Sequence, residues 1–287
     1  MSRSEHELSE TLASPAVPHL VIYGHAGFDI SSMSGKSTRA PGGAAYYATL
    51  AASIVNRSTG IVTVLGEDFP ISWFQSLQID TSGILLKDGD SALFCQEYGA
   101  ENEVINLSVS LNACEELLPD LIPAPYLAAR FFFVATAPPR QQTHVLDWLV
   151  ERQFGGVIAI DTTISYIDDF HSLLREHENN IGIVFVNQEE YQRLRWLPAR
   201  SKSLVLKRGA RGASLYENGV WTDVSAPIID EVCNTTGAGD ILAGACLAGL
   251  AAGDEFKIAL SRGVALASKS VVKYDVEHLR EHNGVLQ

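Results

Sequence analysis

The sequence predicts an α/β fold: a mainly parallel sheet with helices on both faces. Two observations carry this. Short apolar runs alternate with longer helical patterns along most of the chain. A glycine-rich loop, Cys233 to Asp240, opens into a long run of small residues and leucine, Ile241 to Leu250, as expected where a loop enters a buried helix packed on a sheet. One region breaks the rhythm and reads as a separate strand pair.

In chain order, residues 1–18 are polar and acidic with two prolines, and read as a flexible leader. His19 to Gly24 is a short apolar run ending in glycine, a buried strand. Ala44 to Val55 is alanine-rich and helical, Gly60 to Leu65 a strand, and Ser72 to Leu77 a short helix. Ala92 to Gly99 and Glu103 to Ser108 are the exceptional pair around a polar turn, and Ser31 to Arg39 is a polar excursion. Phe131 to Ala135, Gly156 to Ile160, Ile181 to Val186 and Ser203 to Leu206 read as further buried strands. Helices lie between them at Gln141 to Arg152 and Ile167 to Glu178. The helix after Asp240 and one from about Glu255 to Lys273 complete the chain. In such a sheet, ligands bind at the carboxyl ends of the strands.

Composition narrows the function. The net charge of −13 argues against a nucleic-acid partner and offers no basic patch for a membrane. Cys95, Cys114, Cys233 and Cys246 have no Cys-x-x-Cys spacing, which fits a reduced, cytoplasmic protein with buried thiols rather than a zinc site. No apolar run reaches transmembrane length.

The loop into the last-third helix is the strongest chemical signal. The N–H groups of Gly237, Ala238, Gly239 and Asp240 stand where a helix start favours an anion such as phosphate. Asp240 is either a charge favoured by the helix dipole or a general base for a hydroxyl attacking a phosphoryl group. The run Asn-Thr-Thr-Gly-Ala-Gly-Asp, from Asn234 to Asp240, resembles the Asp-Thr-x-Gly-Ala-Gly-Asp signature of the ribokinase-like sugar kinases, the phosphofructokinase-B family. The resemblance implies that Asp240 is the catalytic base, that Gly237 to Asp240 form an anion hole, and that Thr236 contacts the nucleotide. Asn234 stands where the family usually has Asp.

Four other places fit the resemblance, which extends from about His19 to Lys273 within a kinase domain spanning residues 19–287. Asp29, after the first strand, is implied to accept hydrogen bonds from two substrate hydroxyls, a charge-assisted contact; its neighbour His25 reads as a structural polar residue. Gly42 and Gly43 match the family's amino-terminal glycine pair, and Tyr47 stands where Asn is usual, so both glycines and Tyr47 are implied substrate contacts. Asn187 and Glu190 resemble the Asn-x-x-Glu motif that positions Mg²⁺, largely through water. Lys207, Gly209 and Gly212 resemble the nucleotide loop, with Lys207 in place of the usual Thr or Ser; a phosphate contact from Lys207 or Arg208 is the expectation. No Walker-type pattern is present.

The segments near 31–39 and 91–109 are implied to build a β lid over the substrate, and through it a homodimer interface. The expected activity is ATP- and Mg²⁺-dependent phosphorylation of a small polyhydroxylated acceptor. Gly24-His25, Asp29, Gly42 to Tyr47 and Gly66 to Pro70 look most like the myo-inositol kinase branch, so myo-inositol or a related cyclitol is the first expectation. A nucleoside kinase, with Tyr46, Tyr47 and Phe94 lining a base slot, comes next, followed by a simple-sugar kinase. A non-catalytic sugar or nucleotide sensor is the alternative of a different class.

Overall fold

The structure, a computed structural model, describes residues 17–33, 36–98, 104–194 and 202–282. The leader, apart from its last two residues, and the turn positions Gly35, Gly99 and Glu103 lie outside them.

The apolar runs become the strands at the centre of the main sheet. Leu20–Tyr23 (β1) and Thr59–Gly66 (β4) are buried along their whole length, as parallel strands covered on both faces must be. The lid hairpin intervenes between them in sequence, Gly27–Met33 (β2) and Lys36–Gly42 (β3), followed by the helix Ala44–Val55 (α1). A short helix Ser72–Gln75 (α2) leads to Asp80–Lys87 (β5), and the second lid hairpin follows as Ala92–Tyr98 (β6) and Val104–Ser110 (β7). Then come Phe131–Val134 (β8), Pro139–Glu151 (α3), Val157–Ile160 (β9), Ile167–Glu176 (α4), Ile181–Asn187 (β10), Gln188–Leu194 (α5) and Ser203–Lys207 (β11). Ala213–Glu217 (β12), Val220–Val224 (β13), Ala238–Ala252 (α6) and Phe256–Ser270 (α7) complete the order, with 3-10 turns between several of these elements.

Among the described residues the main sheet has nine strands in the order β13-β12-β11-β10-β9-β8-β1-β4-β5. From β5 to β11 all pairings are parallel, and β12 and β13 extend the β11 edge antiparallel. The chain winds outward from β1 through β4 to β5, then returns to the other side of β1 at β8. That reversal makes the β1/β8 junction the switch point where a crevice opens beyond the strand ends.

One apolar layer, under α1, α6 and α7, holds Leu50, Phe133, Phe185, Leu242 and Leu247. The other, under α3 and α4, holds Val145, Leu149, Phe170 and Leu173. In α4 the buried positions Ile167, Phe170, Leu173 and Leu174 keep helical spacing while Asp168 and Asp169 sit in its first turn. Helix α6 is buried from Ile241 to Gly249, which explains its lack of any polar face.

The second sheet runs β3-β2-β6-β7. Its outer pairs are antiparallel and its central β2–β6 pair is parallel. Residues 31–33 and 36–39 of the polar excursion are therefore paired strand, in the segment expected to build the lid. The expected placement of Asp29 at the end of the first strand is corrected: it is the third residue of β2, opposite Ala40 on β3 and Phe94 on β6. No described helix is long and apolar enough to cross a membrane.

Candidate active site

The site forms where the start of α6 meets the lid. Gly237 caps α6 with φ of 74°, in the left-handed region. A Cβ there would fall 2.4 Å from Cγ and Cδ2 of Tyr47, so the backbone expected to form the anion hole rests on the Tyr47 ring and only glycine fits. Asn234 braces the loop: its Oδ1 accepts from the Thr236 N–H at 2.9 Å and its Nδ2 donates to the Tyr274 carbonyl at 2.9 Å. An amide supplies both an acceptor and a donor; a carboxylate at this position would supply only acceptors. The Ala238 N–H turns back to the Thr235 carbonyl at 3.2 Å, which takes it away from the four expected anion donors. Gly239 and Asp240, in the first helical turn, have no preceding helical carbonyl to bond.

Asp29 lies below, nearly fully buried. The Tyr47 hydroxyl and the Gly43 N–H donate to its carboxylate. Burial pushes its carboxyl up to about 7 against the pull of those two donors. Gly42 is required beside it: a Cβ there would stand 2.3 Å from Asp29 Cγ. Asp240 is also pushed up to about 7, first by burial and then by the charge of Asp161, with Lys207 opposing. A carboxylate poised near neutrality suits a general base.

Lys207 ends β11 and reaches the same centre. Its Nζ donates to both oxygens of Asp161, at 2.8 and 2.7 Å, and lies 3.3 Å from where a Gly239 Cβ would be. Burial pulls its pKa down, but Asp161, Glu190 and Asp240 outweigh that and the net shift is upward. Arg208 instead turns away to Asp223 at 3.2 Å, so of the two cations expected near phosphate only Lys207 lines the larger cavity beside the α6 start.

Asn187 and Glu190 close on each other at the β10–α5 junction. The Asn187 N–H and Nδ2 each donate to a different Glu190 oxygen at 2.7 Å, and the Glu190 N–H donates to Asn187 Oδ1 at 2.9 Å. Burial raises the Glu190 carboxyl to about 7, with Lys207 opposing and Asp161 adding. Each carboxylate oxygen keeps a lone pair. No group of three or more His, Cys, Asp or Glu among the described residues could hold a metal ion directly. An all-oxygen pair with spare lone pairs fits Mg²⁺ held through water and nucleotide phosphates, and does not form a protein cage.

Two cavities flank the α6 start. The larger, about 690 Å³, is lined by Asn187, Lys207, Gly209, Gly212, Thr235 and Gly239, among others. The smaller, about 220 Å³, is lined by Asp29, Gly43 and Tyr47 together with Phe94, Tyr166 and Thr236. Thr236 thus faces the lid side, its Oγ1 donating to Gln96 Oε1 at 3.0 Å, and Thr235 is the threonine on the larger cavity. Tyr46 does not line the smaller cavity as expected; its hydroxyl donates to Glu277 at 2.7 Å and its ring packs on Phe74. His25 lines it as a structural residue, donating to Gln141 Oε1 at 2.7 Å and held neutral by burial, which lowers its pKa to about 4.

The sequence reading missed Asp161, Tyr166 and Thr235. For Asp161 a signal existed: it is a carboxylate just past a buried parallel strand, the same reasoning applied to Asp29.

The model of the pfkB family carbohydrate kinases matches residues 19–282. The chain belongs to that family. As a pfkB kinase it is an ATP-dependent phosphotransferase of the carbohydrate and nucleoside class. It is 28% identical, over 273 residues, to a cytidine kinase of Thermococcus kodakarensis, covering 89% of this chain and 96% of that protein. Among solved structures it resembles a nucleoside kinase of Burkholderia thailandensis in complex with inosine (TM-score 0.78, 16% identity, 90% of this chain and 91% of that one). A ribokinase of Cryptococcus neoformans in complex with ADP is also similar (TM-score 0.75, 17% identity, 92% and 98%). The ribokinase-like architecture and the small lid sheet agree with the fold expected from sequence.

Proposed function

We propose that this pfkB kinase phosphorylates a ribonucleoside, with a pyrimidine nucleoside as first choice. The observation that carries this is that the lining of the smaller cavity joins a buried carboxylate to an apolar, aromatic surface. Asp29 can accept two vicinal hydroxyls of a ribose. Phe94, Val109, Leu111 and Tyr166 give part of the wall an apolar, partly aromatic surface, beside the polar Gln96, Thr136, Thr163 and Ser165, and on that apolar part a flat base gains by stacking. A cyclitol, with hydroxyls all round, would leave those that meet the apolar part of the wall unpaired. The cytidine kinase relative supports the same choice.

In this reading the acceptor hydroxyl points past Thr236 toward Asp240, which takes its proton as the bond to phosphorus forms. The N–H groups of Gly237, Gly239 and Asp240 stabilise charge on the transferring group. Lys207, Gly209, Gly212 and Thr235 receive the nucleotide in the larger cavity. Asn187 and Glu190 would hold Mg²⁺ through water. When bound, that ion neutralises phosphate charge during transfer. The lid excludes water and so limits hydrolysis of ATP. All four cysteines are free thiols, which supports a cytoplasmic setting, and we read the lid's outer face as the surface for a homodimer.

The test is kcat/KM with ATP and Mg²⁺ for cytidine, uridine, adenosine, inosine, ribose, fructose and myo-inositol. A nucleoside should lead the other classes by tenfold or more, about 1.4 kcal/mol in transition-state binding. A cyclitol or simple sugar leading by that margin would overturn the nucleoside assignment.

A further inference from the structure

One buried charged residue at this centre has no part in the scheme so far. Asp161 follows β9 and is fully buried. Its Oδ1 accepts from the Thr162 N–H at 2.8 Å, and its main-chain carbonyl accepts from Gln142 Nε2 at 2.8 Å. Both carboxylate oxygens then take the Lys207 ammonium, whose side chain is 14% exposed against 1% for Asp161. The pair spans β9 to β11, across β10.

A buried ion pair of this kind is a weak source of stability, because desolvating two charges offsets most of their attraction. Its position offers a better account. An ammonium has three donors, and Asp161 takes two, leaving one for a ligand in the larger cavity that Lys207 lines. The same ammonium lies against the first turn of α6 at Gly239, which lines the larger cavity with it, while Thr236 in the loop just before that turn lines the smaller one. A phosphoryl group passing from the larger cavity to the smaller must pass this helix start, beside which the ammonium sits.

We propose that Asp161 is a positioning residue that fixes Lys207 so that its charge meets the transferring γ-phosphoryl group. This rests on the kinase reading above and on Lys207 facing the nucleotide. During transfer the bond from phosphorus to the β–γ bridging oxygen breaks and the bond to the acceptor oxygen forms. The acceptor proton goes to Asp240, and Lys207 stays protonated throughout. Asp161 touches neither substrate; its two oxygens hold the ammonium against the start of α6.

The experiment uses Lys207→Met, Asp161→Asn and the double variant, with Tm, kcat at saturating substrates, and affinity for ADP and for the non-hydrolysable β,γ-imido analogue of ATP. Lys207→Met should lower kcat by about 10²-fold, the scale for a lost charge-stabilising donor. Asp161→Asn should lower it by about tenfold or more, as lost supporting partners do. The double variant removes both buried charges, so its Tm should return toward wild type while its kcat stays as low as that of Lys207→Met. A double variant regaining wild-type kcat would make the pair structural and overturn the proposal. The nucleotide readout is independent of the acceptor: Lys207→Met should weaken the imido analogue about tenfold or more and ADP by less than about twofold, the difference isolating the γ-phosphate contact. Equal effects on both ligands would overturn the proposal even if the nucleoside assignment also failed. Should these variants not fold, Lys207→Arg keeps the charge and the ion pair but displaces the cation. It should keep its Tm and lose kcat about tenfold or more, and an unchanged kcat would again overturn the proposal.

Discussion

Replacing Tyr47 by Phe separates two jobs that the residue performs at once. Its hydroxyl donates to Asp29 and its ring supports Gly237; the substitution removes the first and keeps the second. A hydrogen bond to a charged group contributes about 1.5–3 kcal/mol. The hydroxyl retains part of that bond to the protonated acid, so its net preference for the carboxylate is near the lower end, about one pKa unit. Asp29 titrates near 7 in the intact site because burial outweighs its two donors, and without the hydroxyl it should titrate near 8. The ionised fraction at pH 7 then falls from about one half to about one tenth, so kcat/KM for the acceptor should fall about fivefold. At about pH 9 Asp29 is ionised in both proteins and the two should converge. Asp240 titrates in the same range and feels the charge of Asp29, so the ratio of the two pH–rate profiles reads Asp29 together with its coupling to Asp240. A loss that stays constant from neutral to alkaline pH, or no loss, would refute the reasoning.

Gly42→Ala would place a methyl 2.3 Å from Asp29 Cγ, so Asp29 must shift. Acceptor affinity should fall far more than ADP affinity, and equal losses in titration calorimetry would contradict this. Stability should also depend on pH. Asp29, Glu190 and Asp240 are each raised to about 7 by burial, so the folded chain binds protons more tightly than the unfolded chain. Their contribution is complete below the unfolded values near 4 and is lost as pH rises through 7. His25, lowered to about 4, opposes this below its unfolded value, but it is one group against three. Without ligands, Tm should therefore fall between about pH 5.5 and about pH 7.5; a rise over that window in calorimetry would contradict the assignment.

How much of this was legible in the sequence follows burial. Helix α1 was read residue for residue, because a glycine pair precedes an uninterrupted alanine-rich run. The central strands were read because strands covered on both faces are apolar throughout. Several strands without an apolar run were not announced by the residue pattern, and the segment of β2 and β3 was expected as a lid only through the family resemblance. β2 and β3 carry Ser31, Ser32, Ser37, Thr38 and Arg39, while β13 is mostly exposed and β5 only partly buried. The site shows the same limit. The loop from Asn234 to Asp240 announced itself as a contiguous motif, but which of two adjacent threonines faces which cavity depends on a backbone turn that composition does not encode. The Asp161–Lys207 pair joins residues 46 apart in sequence, and only the parallel packing of β9, β10 and β11 brings them together. Tyr46 and Tyr47 looked alike as aromatic linings, yet helical rotation sends one to Glu277 and the other to Asp29.

The most direct test of the whole account is the steady-state rate of ADP formation by Asp240→Asn with the best acceptor, alongside calorimetric binding of ADP and acceptor. The amide keeps the shape of the helix start but cannot take the proton. The rate should drop by about 10²–10⁴-fold, the usual loss for a general base, while both ligands bind within about threefold of wild type. A variant turning over within about threefold of wild type would show that Asp240 is not the base, since that falls far short of the same scale.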